Sequence, residues 1–229
     1  MTEEGKQIGY GEIVKNAGSN LVDALGDIAE VGLDALTTSA DAWESLPGIK
    51  IVTGLYKAKT SLRQSLDLRK LQDFLTSAAK AIESCDQKKE DVMRHFGGEK
   101  NRQRLGETMI LLLERVDDMQ KPAIHGRIMG ELMTGRLSYR MAMSLSAILD
   151  RVVMDDLETL AKANPSLSVS DNDEDFSALH RLQANGLMYQ SVDDAGDSEG
   201  NATQEFSLTA AGEQMASIYR AHLEDGGSD

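Results

Sequence analysis

The side chains that could do chemistry are few and scattered. Four histidines, His95, His125, His180 and His222, stand far apart, and none pairs with another His or with Cys at the spacing a metal ion needs. Each reads as a surface or helix-end residue. Cys85 is the single cysteine, so no internal disulfide can form, which fits a reducing compartment. No signature of a catalytic thiol surrounds it. The acidic pairs Asp117-Asp118 and Asp155-Asp156 could hold a cation, but they fall at helix boundaries, where capping and solubility are the simpler account. Gly97-Gly98-Glu99-Lys100 has no strand leading into it and so is no nucleotide loop, and neither a Walker pattern nor a Ser-hydrolase elbow occurs. These residues describe a non-enzyme with no cofactor, no metal and no small-molecule substrate.

Charge says more than chemistry. The net charge is −14, and it is divided along the chain. Residues 1–49 carry 2 basic and 9 acidic groups, residues 50–104 carry 13 and 7, residues 105–149 carry 5 and 5, and residues 150–229 carry 4 and 17. A basic middle between acidic ends can meet an anionic partner or its own acidic tail. The start, MTEEGKQIGY, is acidic and polar, unlike a secretory signal, and the longest stretch free of charge, Leu182 to Val192, contains Gln, Asn, Gly and Ser. A membrane span needs about 18 or more apolar residues. The expected location is therefore the cytoplasm, with a peripheral place at the inner membrane as the variant.

The elements that must position these groups are mostly helices. Only 3 Pro interrupt the chain, and aromatics make up 4% of it, so aliphatic residues and 11 Met must fill the core. Seven of those Met lie between Met109 and Met154, where core filling is a simpler use than an adaptable partner groove. The spacing predicts an amphipathic helix from Leu21 to Leu36, a basic helix running to about Ile82, a short charged one over Asp86 to Phe96, and a helix over 99–117 that is apolar all round at Met109 to Leu113. Ala123 to Thr134 is the next. Ser138 then caps a long helix whose stripe continues through Leu157 and Leu160 to Asn164-Pro165. The polar run Ser166 to Asp175 reads as a loop. After it come a short helix closed by Asn185-Gly186, a strand at Leu187 to Val192, a second at Gln204 to Leu208, and a last helix capped by Thr209. The fold class is mainly α: a multi-helix bundle over 19–164 and a small α+β module over 165–223. Residues 1–18 form a flexible start and 224–229 a disordered tail.

The module has the most specific pattern. Leu179-His180-Arg181-Leu182-Gln183-Ala184-Asn185-Gly186-Leu187 is followed, after a hairpin-length gap, by Phe206-Ser207-Leu208-Thr209-Ala210-Ala211-Gly212. This resembles the second half of a winged-helix domain, from about Asp175 to Tyr219. The resemblance implies a helix, a two-stranded wing and a closing helix. Winged-helix proteins that bind DNA neutralise phosphates with Lys and Arg. Here Asp171, Asp173, Glu174 and Asp175 precede the helix, and Asp193, Asp194, Asp197 and Glu199 sit in the wing. Only His180 and Arg181 could face an anion. A duplex is repelled by such a region, so the acidic residues Asp171, Asp173, Glu174, Asp175, Asp193 and Asp194 are read as a surface for a protein partner, a second copy included.

The second candidate is the basic segment. Lys50, Lys57, Lys59, Arg63, Arg69 and Lys70 lie beside the apolar Ile51, Val52, Leu55 and Tyr56. Basic groups beside an apolar face can dock to anionic lipid, and the plainer use is a core helix with a cationic solvent side. The whole plan, a glycine-containing acidic helix, a Pro-Gly-Ile-x-Ile-Val-x-Gly-Leu segment, a bundle and a winged-helix-like end, loosely resembles the abortive-infection alpha group of bacterial proteins linked to phage defence. That resemblance implies a bacterial or phage protein that senses or docks a partner, and it supplies no catalytic residue. The expected function is a scaffold, adaptor or sensor. The alternative is a peripheral membrane protein using residues 46–63, and a winged-helix transcription regulator comes third.

Overall fold

The computed structural model describes residues 63–85, 98–116, 118–170, 173–191 and 203–226. Within them lie seven helices and one three-stranded sheet. The helices predicted at Leu21 to Leu36 and Asp86 to Phe96, and the segment 46–62, lie outside the described residues. The chain divides into two compact units, Met1–Leu137 and Ser138–Asp229. The units meet at 137/138 where the sequence reading put a boundary at 164, and the stretch after Ser138 belongs with the second unit, in which side chains of residues 154–162 are bonded to the helices that follow.

In the first unit, α1 (Arg63–Glu83) buries Leu71, Phe74, Leu75, Ala78 and Ile82, a three-and-four spacing that makes one apolar stripe. Its partner is α3 (Lys121–Met133), which starts with Pro122 in its first turn and buries eleven of its thirteen residues. Gly126 and Gly130 face α1. A Cβ added to Gly126 would stand 2.0 Å from the Phe74 carbonyl oxygen, and one added to Gly130 would stand 2.5 Å from the Ala81 Cβ and 2.7 Å from the Ala78 oxygen. The two backbones touch because both sequences place small residues at the crossing. Arg136, held by Glu131, donates to the Ala81 carbonyl at 2.7 Å and so satisfies the end of α1.

The helix α2 (Gly98–Arg115) buries Leu105, Met109, Ile110 and Leu113 but leaves Leu111 42% exposed. The expectation of an all-round buried helix is corrected here to a one-sided one. Its apolar run is longer than the face it has to cover.

The long helix expected after Ser138 is two. Ser138 caps α4 (Tyr139–Leu149), its Oγ accepting from the Met141 N–H at 3.2 Å, and α5 (Met154–Lys162) follows a break. Val153 is extended (φ −75, ψ 141), while Val152 and Met154 on either side are buried. A straight helix cannot turn both inward, and Asp155 and Asp156 favour a fresh N-terminus at that point.

The sheet also has one strand more than expected. β1 (Ser166–Ser170) occupies the stretch read as a loop. Its polarity hides a period of two: Val169 is buried and Ser168 exposed. β1 pairs antiparallel with β3 (Thr203–Leu208), with Leu167 opposite Phe206, and β3 pairs antiparallel with β2 (Met188–Ser191), with Met188 opposite Leu208. The order is β1-β3-β2. Between β1 and β2 runs α6 (Phe176–Ala184), and α7 (Ala210–Glu224) closes the unit. Gly186 ends α6 at φ 76, a left-handed turn that a Cβ disfavours. Thr209 then locks the two turns together. Its hydroxyl donates to the Gly186 carbonyl at 2.8 Å and accepts from the Gly212 N–H at 3.0 Å. A Cβ at Gly212 would stand 1.9 Å from the Leu187 oxygen, which explains the Leu-Thr-x-x-Gly spacing.

The glycine contact is the simplest feature to challenge. Gly126→Ala is expected to lower stability by about 3 kcal/mol in urea unfolding. A loss below about 0.5 kcal/mol would show that α3 does not lie on the Phe74 backbone.

Candidate functional site

The acidic C-terminal unit holds 5 basic and 17 acidic residues over 138–229, a net charge of −12. What each cation does decides what that surface can meet. Asp156 lies in the first turn of α5 with its side chain 2% exposed. Arg181 of α6 embraces it with two bonds, Nε to Oδ2 at 2.9 Å and Nη2 to Oδ1 at 2.6 Å. This is the fork geometry by which a guanidinium neutralises a carboxylate. Lys162 at the end of α5 donates to both oxygens of Asp175, at 3.2 and 3.0 Å, and Thr159 adds a hydroxyl bond to Oδ1 at 2.7 Å. The Thr159 hydroxyl, then Lys162, hold the Asp175 carboxyl below the usual carboxylate range against the opposing pull of burial. Arg220 of α7 donates to the Ala161 and Ala163 carbonyls at 3.3 and 3.4 Å, closing the end of α5. Arg140 and Arg151 are exposed.

His180 is half-buried. Its ring meets Phe176 edge-on at 4.6 Å and Phe206 at 5.2 Å. The two groups left by the sequence as contacts for an anion are thus both engaged, Arg181 with Asp156 and His180 between two rings. His125 and His222 are buried at 1% and 8% exposure, so the expectation of a surface or helix-end residue is corrected for His125, which is mid-helix, while His222 stands in the last turn of α7. Among the described residues no group of three His, Cys, Asp or Glu is placed to hold a metal ion.

No family model, curated protein or solved structure matches the chain.

The predicted acidic docking residues separate into three kinds. Asp171, Asp193 and Asp194 lie outside the described residues. Asp173 and Asp175 have internal duties: Asp173 Oδ2 accepts from the Ser170 N–H at 2.7 Å, and Asp175 joins α5 to α6. Glu174 is exposed. The surface is thus narrower than the sequence reading, with Glu174 as its described member. Asp155 and Glu158 of α5 are also exposed, and after burial their charges, Glu158 first, raise the pKa of Tyr219.

Of the basic segment, Lys50, Lys57 and Lys59 lie outside the described residues, and Arg63 opens α1. Arg69 is 70% exposed and 4.0 Å from Asp73, one turn on. Lys70 donates to the Val116 carbonyl and ties α1 to the end of α2. Among the described members, then, Arg69 fits the expected cationic surface and Lys70 is drawn inward.

Sequence reasoning read Asp156 as a capping or solubilising acid and overlooked Thr159 and Arg220. A signal existed for the first two. Asp156, Thr159, Leu160 and Ala163 recur at steps of three, one and three, so a carboxylate and a hydroxyl share the apolar stripe of α5. Nothing in the spacing could have named Arg181, 25 residues away, as the cation.

Removing Arg181 leaves the buried Asp156 carboxylate without its cation. Arg181→Met is expected to cost about 3 kcal/mol of stability, and Asp156→Leu added to it to recover most of that loss. Equal losses in the single and double variants would show that the pair does not act as one. The lowered Asp175 pKa makes a separate expectation. Its stabilisation is complete above the ordinary carboxylate value and is lost as pH falls through the lowered one. Asp175→Asn should therefore flatten the acid limb of a stability–pH curve, and an unchanged limb would remove Asp175 from the link.

Proposed function

We propose that the chain is a non-enzymatic protein-interaction protein, a scaffold, adaptor or sensor, whose C-terminal unit is a winged-helix-like module adapted to dock a protein. The strand order β1-β3-β2, the helix α6 entering β2 through a left-handed glycine, and Thr209 starting α7 support the winged-helix-like reading. The observation that carries the functional reading is the fate of the cations. In a unit of net charge −12, Arg181, Lys162 and Arg220 are bonded to Asp156, Asp175 and the α5 carbonyls. A helix meant for phosphates would leave its cations free to release counterions. Here three of the five cations hold the module together, and the exposed acids outnumber the exposed Arg140 and Arg151. Such a surface suits a cationic protein face, where charge complementarity sets encounter rate and selectivity. The resemblance to abortive-infection alpha proteins adds phage defence as the setting.

The test separates position from charge. Full-length protein is used for affinity purification from extract of the source cells, beside Glu174→Lys/Asp193→Lys and the equal charge change Glu213→Lys/Glu224→Lys on α7. A partner whose recovery falls about tenfold with the first pair and little with the second is the expected result. Unchanged recovery with the first pair, or duplex DNA held by the full chain at physiological salt, would sink the reading.

A further inference from the structure

The sheet has an open edge. Along β1 the backbone alternates between its partner and the outside. Pro165 bonds inward, its carbonyl accepting the Leu208 N–H at 2.9 Å. Leu167 and Val169 therefore also face β3, opposite Phe206 and Gln204. Ser170 faces outward, and its edge is closed by one residue: Asp173 accepts the Ser170 N–H on Oδ2 at 2.7 Å and donates its own N–H to the Ser170 carbonyl at 3.0 Å. The same alternation turns the N–H and C=O of Ser166 and Ser168 outward. Among the described residues nothing bonds these four groups. Ser168 is exposed, and Ser166 and Leu167 are half-exposed.

Edge strands are commonly protected by Lys, by Pro in the strand, by a bulge or by a covering element. Ser166-Leu167-Ser168-Val169-Ser170 has no charge and pairs with β3 without interruption. Among the described residues nothing bonds its edge between Ser166 and Ser168, in a unit that is otherwise densely charged. The open groups are also symmetric about Leu167. Turned by a two-fold axis through that residue, one copy sets Ser166 opposite Ser168 of the second copy and Ser168 opposite Ser166 of the second copy. Both are hydrogen-bonded pairs, so four bonds form and all four open groups on each copy are used. The Leu167 side chains then meet in the close, non-hydrogen-bonded pair between them.

We propose that β1 is a self-association edge, through which two copies of this chain join their sheets antiparallel about Leu167 into one of six strands. The neutral strand is what lets like copies meet: no charge on it faces its own image, while the two units repel elsewhere with −12 each. A strand of opposite charge would gain nothing specific from Ser and Leu at this edge. The dimer is weak, since four bonds and one leucine pair hold it, and added salt strengthens it by screening that repulsion. This inference goes beyond the docking reading and is separable from it, because it uses the backbone of β1 and none of Glu174, Asp193 or Asp194.

Sedimentation equilibrium of the full chain, at low and high NaCl, tests it together with oxidative cross-linking in the Cys85→Ser background. A monomer–dimer equilibrium that strengthens with salt is expected. Leu167→Lys places like charges on the axis and is expected to lower the association constant about tenfold or more, with the circular dichroism unchanged. Leu167→Cys should cross-link readily, because its Cα lies about 4.5 Å from its image, within the span a disulfide accepts, whereas exposed Ser217→Cys on α7 should not. Should Leu167→Lys fail to fold, the cross-link remains as the reading. A monomer at every concentration and salt, or a dimer untouched by Leu167→Lys and not captured by Leu167→Cys, would overturn the proposal. So would an extended cationic peptide that occupies the edge while the chain itself stays monomeric.

Discussion

Asp156 has a side chain that is 2% exposed, and a carboxylate at that depth needs a cation with two donors aimed at its oxygens. Arg181 supplies them. Much of the C-terminal unit follows from this contact. It fixes the rotation of α6 about its own axis, which sends Leu179 and Leu182 inward and places His180 against Phe206 of the sheet. It also engages the one arginine on α6, whose side chain stays 52% exposed while both of its bonds go to Asp156. The Lys162–Asp175 pair, outside it and more solvated, acts in the same sense at the start of α6. With its acid 30% exposed against 2% for Asp156, it adds less to stability than the Arg181–Asp156 contact does.

The fold was legible where hydrophobic periodicity spoke without ambiguity. The stripe of α1, the caps at Ser138 and Thr209, and the Asn185-Gly186 turn could all be read from local sequence, since each depends on neighbours within four residues. The break at Val153 and the strand β1 could not. In the first, the apolar period continues across 150–153 and conceals a change of direction. In the second, three serines make a strand look like a loop, and only pairing with Phe206 and Gln204 reveals it. Both failures belong to tertiary context overriding a local pattern.

The candidate surface was legible in sign and not in detail. A count of charges is enough to give a unit of −12, and the count argues against phosphate whatever the fold. It cannot tell an acid that caps Ser170 or receives Lys162 from one that faces outward. Asp173, Glu174 and Asp175 are consecutive, yet the first closes a strand end, the second is exposed and the third ties α5 to α6. Adjacent residues diverge because a turn rotates each side chain to a different neighbour, which spacing alone does not encode.

The two units solve the same packing problem by different means. In the first, α1 and α3 approach through Gly126 and Gly130, so the contact is made by backbone and small side chains and tolerates almost no added volume. In the second, elements are joined by side chains that carry charge: Arg181, Lys162 and Arg220 each bridge two elements. A contact of the first kind is indifferent to pH and salt. One of the second kind responds to both, because its carboxylates can be protonated and its exposed pairs screened. In the acidic unit, then, the contacts that join α5 to α6 respond to the ionic environment.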